Sequence, residues 1–286
     1  MVEKLARNIH KFTFKEKTCE IALLSDIHWD NPHCDRKLLK KHLDYCLEKN
    51  IPIVVIGDMF CLMQGRGDNR RNKSDIRPEH NNARYLDSVI ETAVDWFSPY
   101  ASVLKLITYG NHETGIIKYQ ETDVLQRFVT LFNYKNQSSL ELGGYGGWII
   151  YGLPGGGSTQ VSFKHKYFHG SGGGGIVTKG AINLTRALEI YEGFDIFSIG
   201  HIHENSSRND VREYLDTHAG NYAIKKKYIH HCITGTYKEE YEDGFGGWHI
   251  ERGAPAKPLG GRILKLSVHR NTSESIKLAD SYCFPI

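Results

Sequence analysis

Cysteine pairs, long apolar runs and strong net charge are all missing from this chain, and each absence narrows its class. The six cysteines, at positions 19, 34, 46, 61, 232 and 283 of 286, are scattered with no CxxC pair. Such spacing argues against a zinc knuckle or a disulfide frame and fits reduced thiols. No stretch approaches the roughly 18 consecutive apolar residues of a spanning helix. Met1 to Lys17 alternates charged and apolar residues without the apolar core of a secretory signal, so a cytoplasmic protein with no membrane partner is expected. A formal net charge of +3 does not by itself imply nucleic acid, and 40% hydrophobic with 24% charged residues argues against disorder. The glycine runs Gly155-Gly156-Gly157 and Gly172 to Gly175 lack the Lys-Ser/Thr of a phosphate-binding loop and read as turns.

What the chain does hold is histidine, fifteen of them, and strand–helix alternation. Apolar runs at Glu20 to Leu24, Ile53 to Ile56 and Val103 to Thr108 read as strands. Helical spacing appears from Arg36 to Glu48, Tyr85 to Phe97 and about Glu121 to Phe132. This βαβαβ rhythm predicts a mainly parallel sheet with helices packed on its faces. The second half is richer in strands, at Trp148 to Tyr151, Phe163 to Phe168, Ile196 to Ile199, Tyr228 to Thr234 and Arg262 to Val268, with a helix near Ile182 to Tyr191. No repeat and no linker long enough to divide the chain is visible. One domain over 1–286 is expected, its motif-bearing core at about 19–204 and further strands and loops over 205–286.

Five fragments just beyond such strands carry metal-binding side chains: Asp26-Ile27-His28, Gly57-Asp58, Gly110-Asn111-His112-Glu113, His169-Gly170 and Gly200-His201-Ile202-His203. Ligands of open α/β sheets lie beyond the carboxyl ends of the strands, so the fold would gather these residues although they are distant in sequence. On an extended backbone Asp26 and His28 would point the same way, as would His201 and His203. Carboxylates and imidazoles suit manganese, iron, zinc or nickel. Any one fragment is commonplace; the ordered set points to a metal pair. His169 has a nearby competitor in His165, and its Phe-His-Gly context at a strand end favours it.

The ordered set DxH, GD, GNH(D/E), H, GHxH resembles the calcineurin-like metallophosphoesterase superfamily, from Asp26 to His203. That resemblance implies a four-layer α/β/β/α sandwich of the metallo-dependent phosphatase type. It implies two divalent cations, manganese first, with iron, zinc or nickel as alternatives. Asp26, His28 and His203 would hold one cation, Asn111, His169 and His201 the other, and Asp58 would bridge them. His112 would face the substrate phosphate and assist the leaving group, while a metal-activated water attacks. Glu113 could tune His112 or a ligand, or point away.

Gly57-Asp58-Met59-Phe60 is similar to a stretch of the SbcD-type DNA nuclease branch, with Cys61 where an acidic residue is common there. Arg66, Arg70, Arg71, Lys73 and Arg77 form a basic cluster just after Asp58, which could reach a polyanionic substrate, with Arg66, Arg70 and Arg71 as candidate contacts. The expected activity is therefore a phosphodiesterase acting on nucleic acid, such as DNA, or on nucleotides. The alternatives are a phosphomonoesterase for a small molecule or phosphoprotein, and a binding protein that has kept the fold without catalysis.

Overall fold

The computed structural model describes residues 2–62, 75–217, 220, 222–245, 248–251, 253–270 and 275–285. Its first sheet is built on three short apolar strands, β3 (Thr18–Leu24), β4 (Ile53–Ile56) and β5 (Leu104–Thr108). Two further strands, β1 (Val2–Ala6) and β2 (Ile9–Thr13), precede them in the chain and belong to the second sheet. With β6 (Glu141–Gly143), the three apolar strands form a run of four parallel strands. Beyond β3 the sheet continues through β12 (Arg262–Arg270) and β13 (Ser275–Cys283), both joined antiparallel.

Helices α1 (Arg36–Lys49), α2 (Tyr85–Phe97), α3 (Asn111–Gln120) and α4 (Val124–Asn136) follow the strands. The Asp35 side chain caps α1 by accepting from Leu38 N at 2.8 Å, and Leu39, Leu43 and Cys46 form its buried stripe. Asn50, left-handed at φ 52°, stops it. The helix expected over Glu121 to Phe132 is α4, which begins at Val124, and a separate helix, α3, precedes it. Glu121 takes φ 53° and ends α3, and Asp123 then accepts from Gln126 N at 2.9 Å to start α4. The cap at Asp123 sets where that helix begins.

The second sheet runs β1, β2, β7 (Gly146–Gly156), β8 (Thr159–Phe168), β9 (Ile196–Ile199), β11 (Ala223–Thr234) and β10 (Asn205–Asp216). Its pairings are mixed: β2–β7, β8–β9 and β9–β11 are parallel, while β1–β2, β7–β8 and β10–β11 are antiparallel. Helix α5 (Ala181–Ile190) lies on its outer face.

Period-two alternation in the strands shows why these are four layers. Ala22, Leu24, Ile53 and Val55 pack with Leu39, Val89 and Phe128 of the helices. Their neighbours Ile21, Leu23, Val54 and Ile56 face the other way, onto Ile149, Tyr151 and Phe163 of the second sheet. Ile199, Ile229 and Ile233 then meet Leu184 and Ala187 of α5. The order is helices, sheet, sheet, helix, the α/β/β/α sandwich. The expectation of helices on both faces of a mainly parallel sheet is corrected here: the first sheet's inner face is covered by the second sheet. The turn over Gly156 and Gly157 joins β7 to β8, consistent with a hairpin role for that glycine run. No helix among the described residues is long and apolar enough to cross a membrane.

Candidate metal centre

β3, β4, β5, β8 and β9 end at Leu24, Ile56, Thr108, Phe168 and Ile199, and the five motif fragments begin one or two residues later. The chain turns sharply there. Asp26 (φ 48°), His28 (φ 48°), Asp58 (φ 49°), His201 (φ 68°) and His203 (φ 55°) are all left-handed, a conformation costing about 1–3 kcal/mol per non-glycine residue. The extended backbone expected for Asp26-Ile27-His28 and His201-Ile202-His203 is therefore corrected. What holds each strained pair is the residue between its ends. Ile27 is buried with the helices of the first sheet, and Ile202 is buried with α5. Gly57 shows how closely the loops meet: with φ 76°, a Cβ there would lie 2.2 Å from His169 Nδ1.

Two groups of side chains converge within metal-binding reach. Asp26, His28 and His203 each offer a ligand atom within 4.8 Å of the others, and so do Asp58, His169 and His201. Asn111 joins the second group, its Oδ1 lying 3.1 Å from His169 Nε2 and 2.8 Å from His201 Nδ1. Asp58 Oδ2 is 3.2 Å from His169 Nε2, and Asp58 Oδ1 accepts from His112 N at 3.0 Å at the start of α3. His169 Nδ1 donates to the Ile56 carbonyl at 2.9 Å, leaving Nε2 as the nitrogen turned to the site. His112 is anchored likewise, with Nδ1 on the Cys61 carbonyl, and its Nε2 lies 3.9 Å from Asp58 Oδ2.

Electrostatics set this cluster apart from the surrounding core. Burial, and then the charge of His112, hold His28 far below the usual imidazole range. Burial also works against a charged His169, yet Asp58 outweighs it and lifts His169 to about 10. Burial opposes the Asp58 charge too, and His169 and His112 overcome it, keeping Asp58 well below the carboxylate range.

These residues fit divalent cations on an observation independent of any motif. Both ring nitrogens of His28 are buried without a hydrogen-bond partner, and Asp26 Oδ1 has only His203 Nε2, at 3.4 Å. A buried polar atom with no partner costs about 1–3 kcal/mol, and two such nitrogens beside an under-satisfied carboxylate oxygen are what a cation would satisfy. The donor set is nitrogen and oxygen, suited to manganese, iron or zinc.

Residues outside the motifs brace the ligands. Glu113 does not point away: it takes the backbone N–H groups of Gly110, Asp58 and Phe60 at 2.9, 3.2 and 3.0 Å. Burial, with Asp58 beside it, pushes this carboxyl up to about 8. Asp26 Oδ2 accepts from Ser25 Oγ at 2.5 Å and from His201 N at 2.8 Å. Thr234 Oγ1 in turn donates to Ser25 Oγ at 2.6 Å. Thr236 Oγ1 and Tyr237 N hold the Asp26 carbonyl at 2.9 and 3.0 Å, and Glu240 Oε2 stands 3.7 Å from His203 Nδ1. None of Ser25, Thr234, Thr236 or Glu240 sits in a recognisable pattern, so only the position of Ser25 next to Asp26 could have flagged one of them. His165, the competitor to His169, is remote in role: it bonds Tyr151 Oη at 3.0 Å and Ser198 Oγ at 2.6 Å between the sheets. Arg66, Arg70 and Arg71 lie outside the described residues. Arg77 is described and spends its guanidinium on the carbonyls of Asn31, Pro32 and Cys34.

No family model and no curated protein matches the chain. Among solved structures it is similar to Vacuolar Protein Sorting 29 from Cryptosporidium parvum, at 11% identity over 94% of this chain and 100% of that one, TM-score 0.36. It is also similar to the Thermotoga maritima protein TM1076, at 12% identity over 92% and 99%, TM-score 0.31. A third is GAP50, the anchor in the inner membrane complex of Plasmodium, at 12% identity over 92% and 89%, TM-score 0.37.

Proposed function

We propose that this chain is a binuclear metal-dependent phosphoester hydrolase, acting on the phosphodiester of a nucleic acid or nucleotide. The observation that carries the reading is the junction of two ligand groups, Asp26/His28/His203 and Asp58/His169/His201, with the orphaned nitrogens of His28 between them and His112. Asp26, His28 and His203 would hold one cation, Asn111, His169 and His201 the other, and Asp58 would serve both. Two divalent cations held there would supply an acidified water and neutralise phosphoryl charge.

The chain's own residues do the rest. Asp58, held by the His112 N–H in the first turn of α3 and by His169, presents its carboxylate between the two groups. Ser25 and His201 N hold Asp26 in one orientation, and its remaining oxygen, Oδ1, lies 3.4 Å from His203 Nε2 within the group that includes His28. His112, pinned through Nδ1, directs Nε2 to the substrate side, where it steadies the phosphoryl oxygen and carries a proton to the leaving group. The basic stretch after Cys61 and the Gly57-Asp58-Met59-Phe60 stretch favour a diester of nucleic acid over a small monoester. The phosphomonoesterase reading and the non-catalytic binding protein remain the competitors.

Metal analysis and a manganese-reconstituted assay separate all three. A generic phosphodiester, a generic phosphomonoester, and single- and double-stranded DNA are offered to the wild type and to Asp58→Asn. Diester or DNA cleavage lost in Asp58→Asn is expected. Cleavage of the monoester alone moves the substrate class; no bound metal, or activity indifferent to the substitution, ends the catalytic reading.

A further inference from the structure

One group overlaps the site: it shares His28 and His112 with the hydrolytic reading and adds Cys61, which that reading does not use. His28, Cys61 and His112 each place a ligand atom within 4.8 Å of the other two. No other cysteine among the described residues stands in such a group. We propose that His28, Cys61 and His112 form an alternative metal site, selective for thiophilic cations such as Zn2+ or Cd2+, and that filling it takes His28 from the cation held with Asp26 and His203 and withdraws His112 from the substrate. The second half of that statement rests on the roles proposed above for His28 and His112; the first does not.

Three features prepare the trio. His28 is 1% exposed and neither of its ring nitrogens has a hydrogen-bond partner, so its one lone pair is not spent within the chain and the two sites compete for it. The Cys61 backbone is fixed by Asp30, whose Oδ1 accepts from Cys61 N at 2.6 Å while Oδ2 accepts from Leu62 N at 2.9 Å and Tyr85 Oη at 3.1 Å. The Cys61 sulfur accepts from Asn31 Nδ2 at 3.2 Å, an interaction that grows stronger once sulfur carries negative charge. His112 is oriented by its Nδ1 contact with the Cys61 carbonyl, and its side chain, 13% exposed, marks the way in from solvent.

Two imidazoles and a thiolate are a zinc or cadmium donor set and a poor one for manganese or magnesium. Ligand atoms around one tetrahedral ion stand roughly 3–4 Å apart, so small side-chain rotations close the group. Binding exchanges the S–H bond for a sulfur–cation bond and sends the proton to solvent, with no change in oxidation state.

The test uses the full chain loaded with manganese and titrated with Cd2+ alone. Near-ultraviolet thiolate-to-cadmium absorption and proton release are read together with hydrolysis of the phosphodiester. One equivalent of Cd2+ is expected to raise the absorption, release a proton and stop hydrolysis. Cys61→Ser and Cys61→Ala should both lose the absorption. His112→Ala should weaken Cd2+ binding at least about tenfold. Cys46→Ser, a buried thiol elsewhere, should behave as wild type. The absorption persisting in both Cys61 variants, or Cd2+ affinity unchanged in His112→Ala, overturns the site. A chain that binds manganese normally but shows no cadmium–thiolate absorption sinks this proposal alone. A chain showing the absorption without binding manganese sinks the binuclear reading instead.

Discussion

Glu113 offers the sharpest test of how the centre is held, because its carboxylate touches no ligand side chain in the contacts described and works through the backbone. Three N–H groups, from Gly110, Asp58 and Phe60, end on its two oxygens, and Glu113 is 1% exposed. Replacing it with alanine leaves three donors without an acceptor, at about 1–3 kcal/mol each. Water reaching the cleft offsets part of that, so a net loss of about 3–5 kcal/mol is expected. For a chain of this size that is roughly a 10 °C fall in melting temperature. Glu113→Gln keeps one acceptor but turns an amide N–H toward a donor, and should fall between the two. Because Gly57-Asp58 is no longer strapped to the start of α3, manganese affinity should drop about 10–100-fold, the range of residues that act behind a ligand. Differential scanning calorimetry of the metal-free chain at about pH 9, above the value of about 8 to which the Glu113 carboxyl is raised, and titration with manganese give both numbers. A Glu113→Ala protein melting within about 3 °C of wild type, with manganese affinity intact, would falsify the strap.

Further expectations follow from the same geometry. Gly57→Ala combines a left-handed φ of 76° with a Cβ 2.2 Å from His169 Nδ1, so it should cost more than about 3 kcal/mol; truncating His169 in that background should return part of the loss, and strictly additive losses would argue against the clash. His169, lifted to about 10 beside Asp58, keeps its proton in the metal-free chain at neutral pH. A cation must displace that proton, so manganese affinity should rise by about tenfold per pH unit between pH 7 and 9, and a flat profile would contradict the pairing. Burial depresses His10, His42, His230 and His231 to about 4 and His165 to about 3, against about 6.5 when unfolded. Their folded values lie below their unfolded ones, so the stability they contribute is present above pH 6.5 and lost as pH falls toward 4. Urea unfolding should therefore weaken by several kcal/mol from pH 7 to 5, and His165→Gln should flatten that slope.

The candidate metal ligands were legible as a set because each follows the end of an apolar run, with a glycine within three positions of all but Asp26 and His28. Strand periodicity was enough to place Asp26, Asp58, Asn111, His169 and His201 at one edge of the sandwich, and a four-layer fold then brings them together. What could not be read is what depends on contacts between distant segments. Thr234 reaches Ser25 across 209 positions, and Glu113 reaches Phe60 across 53. No local pattern marks such a partner, since serine, threonine and glutamate are ordinary in loops. The left-handed turns at Asp26 and His203 escaped notice for a related reason: neither residue is glycine, and only the burial of Ile27 and Ile202 on opposite sides of the fold makes those conformations tolerable. The polar strand β10 was invisible because, as the second sheet's edge, it faces no core and carries no alternation. Cys61 stands at the boundary between these cases. Its place three residues after Asp58 departs from an acidic pattern, but the proposal made for it depends on His28 lying beside it with two nitrogens that no hydrogen bond occupies. A motif can therefore name the ligands of a reaction, while the ion those ligands prefer is decided by whichever side chain the fold brings next to them.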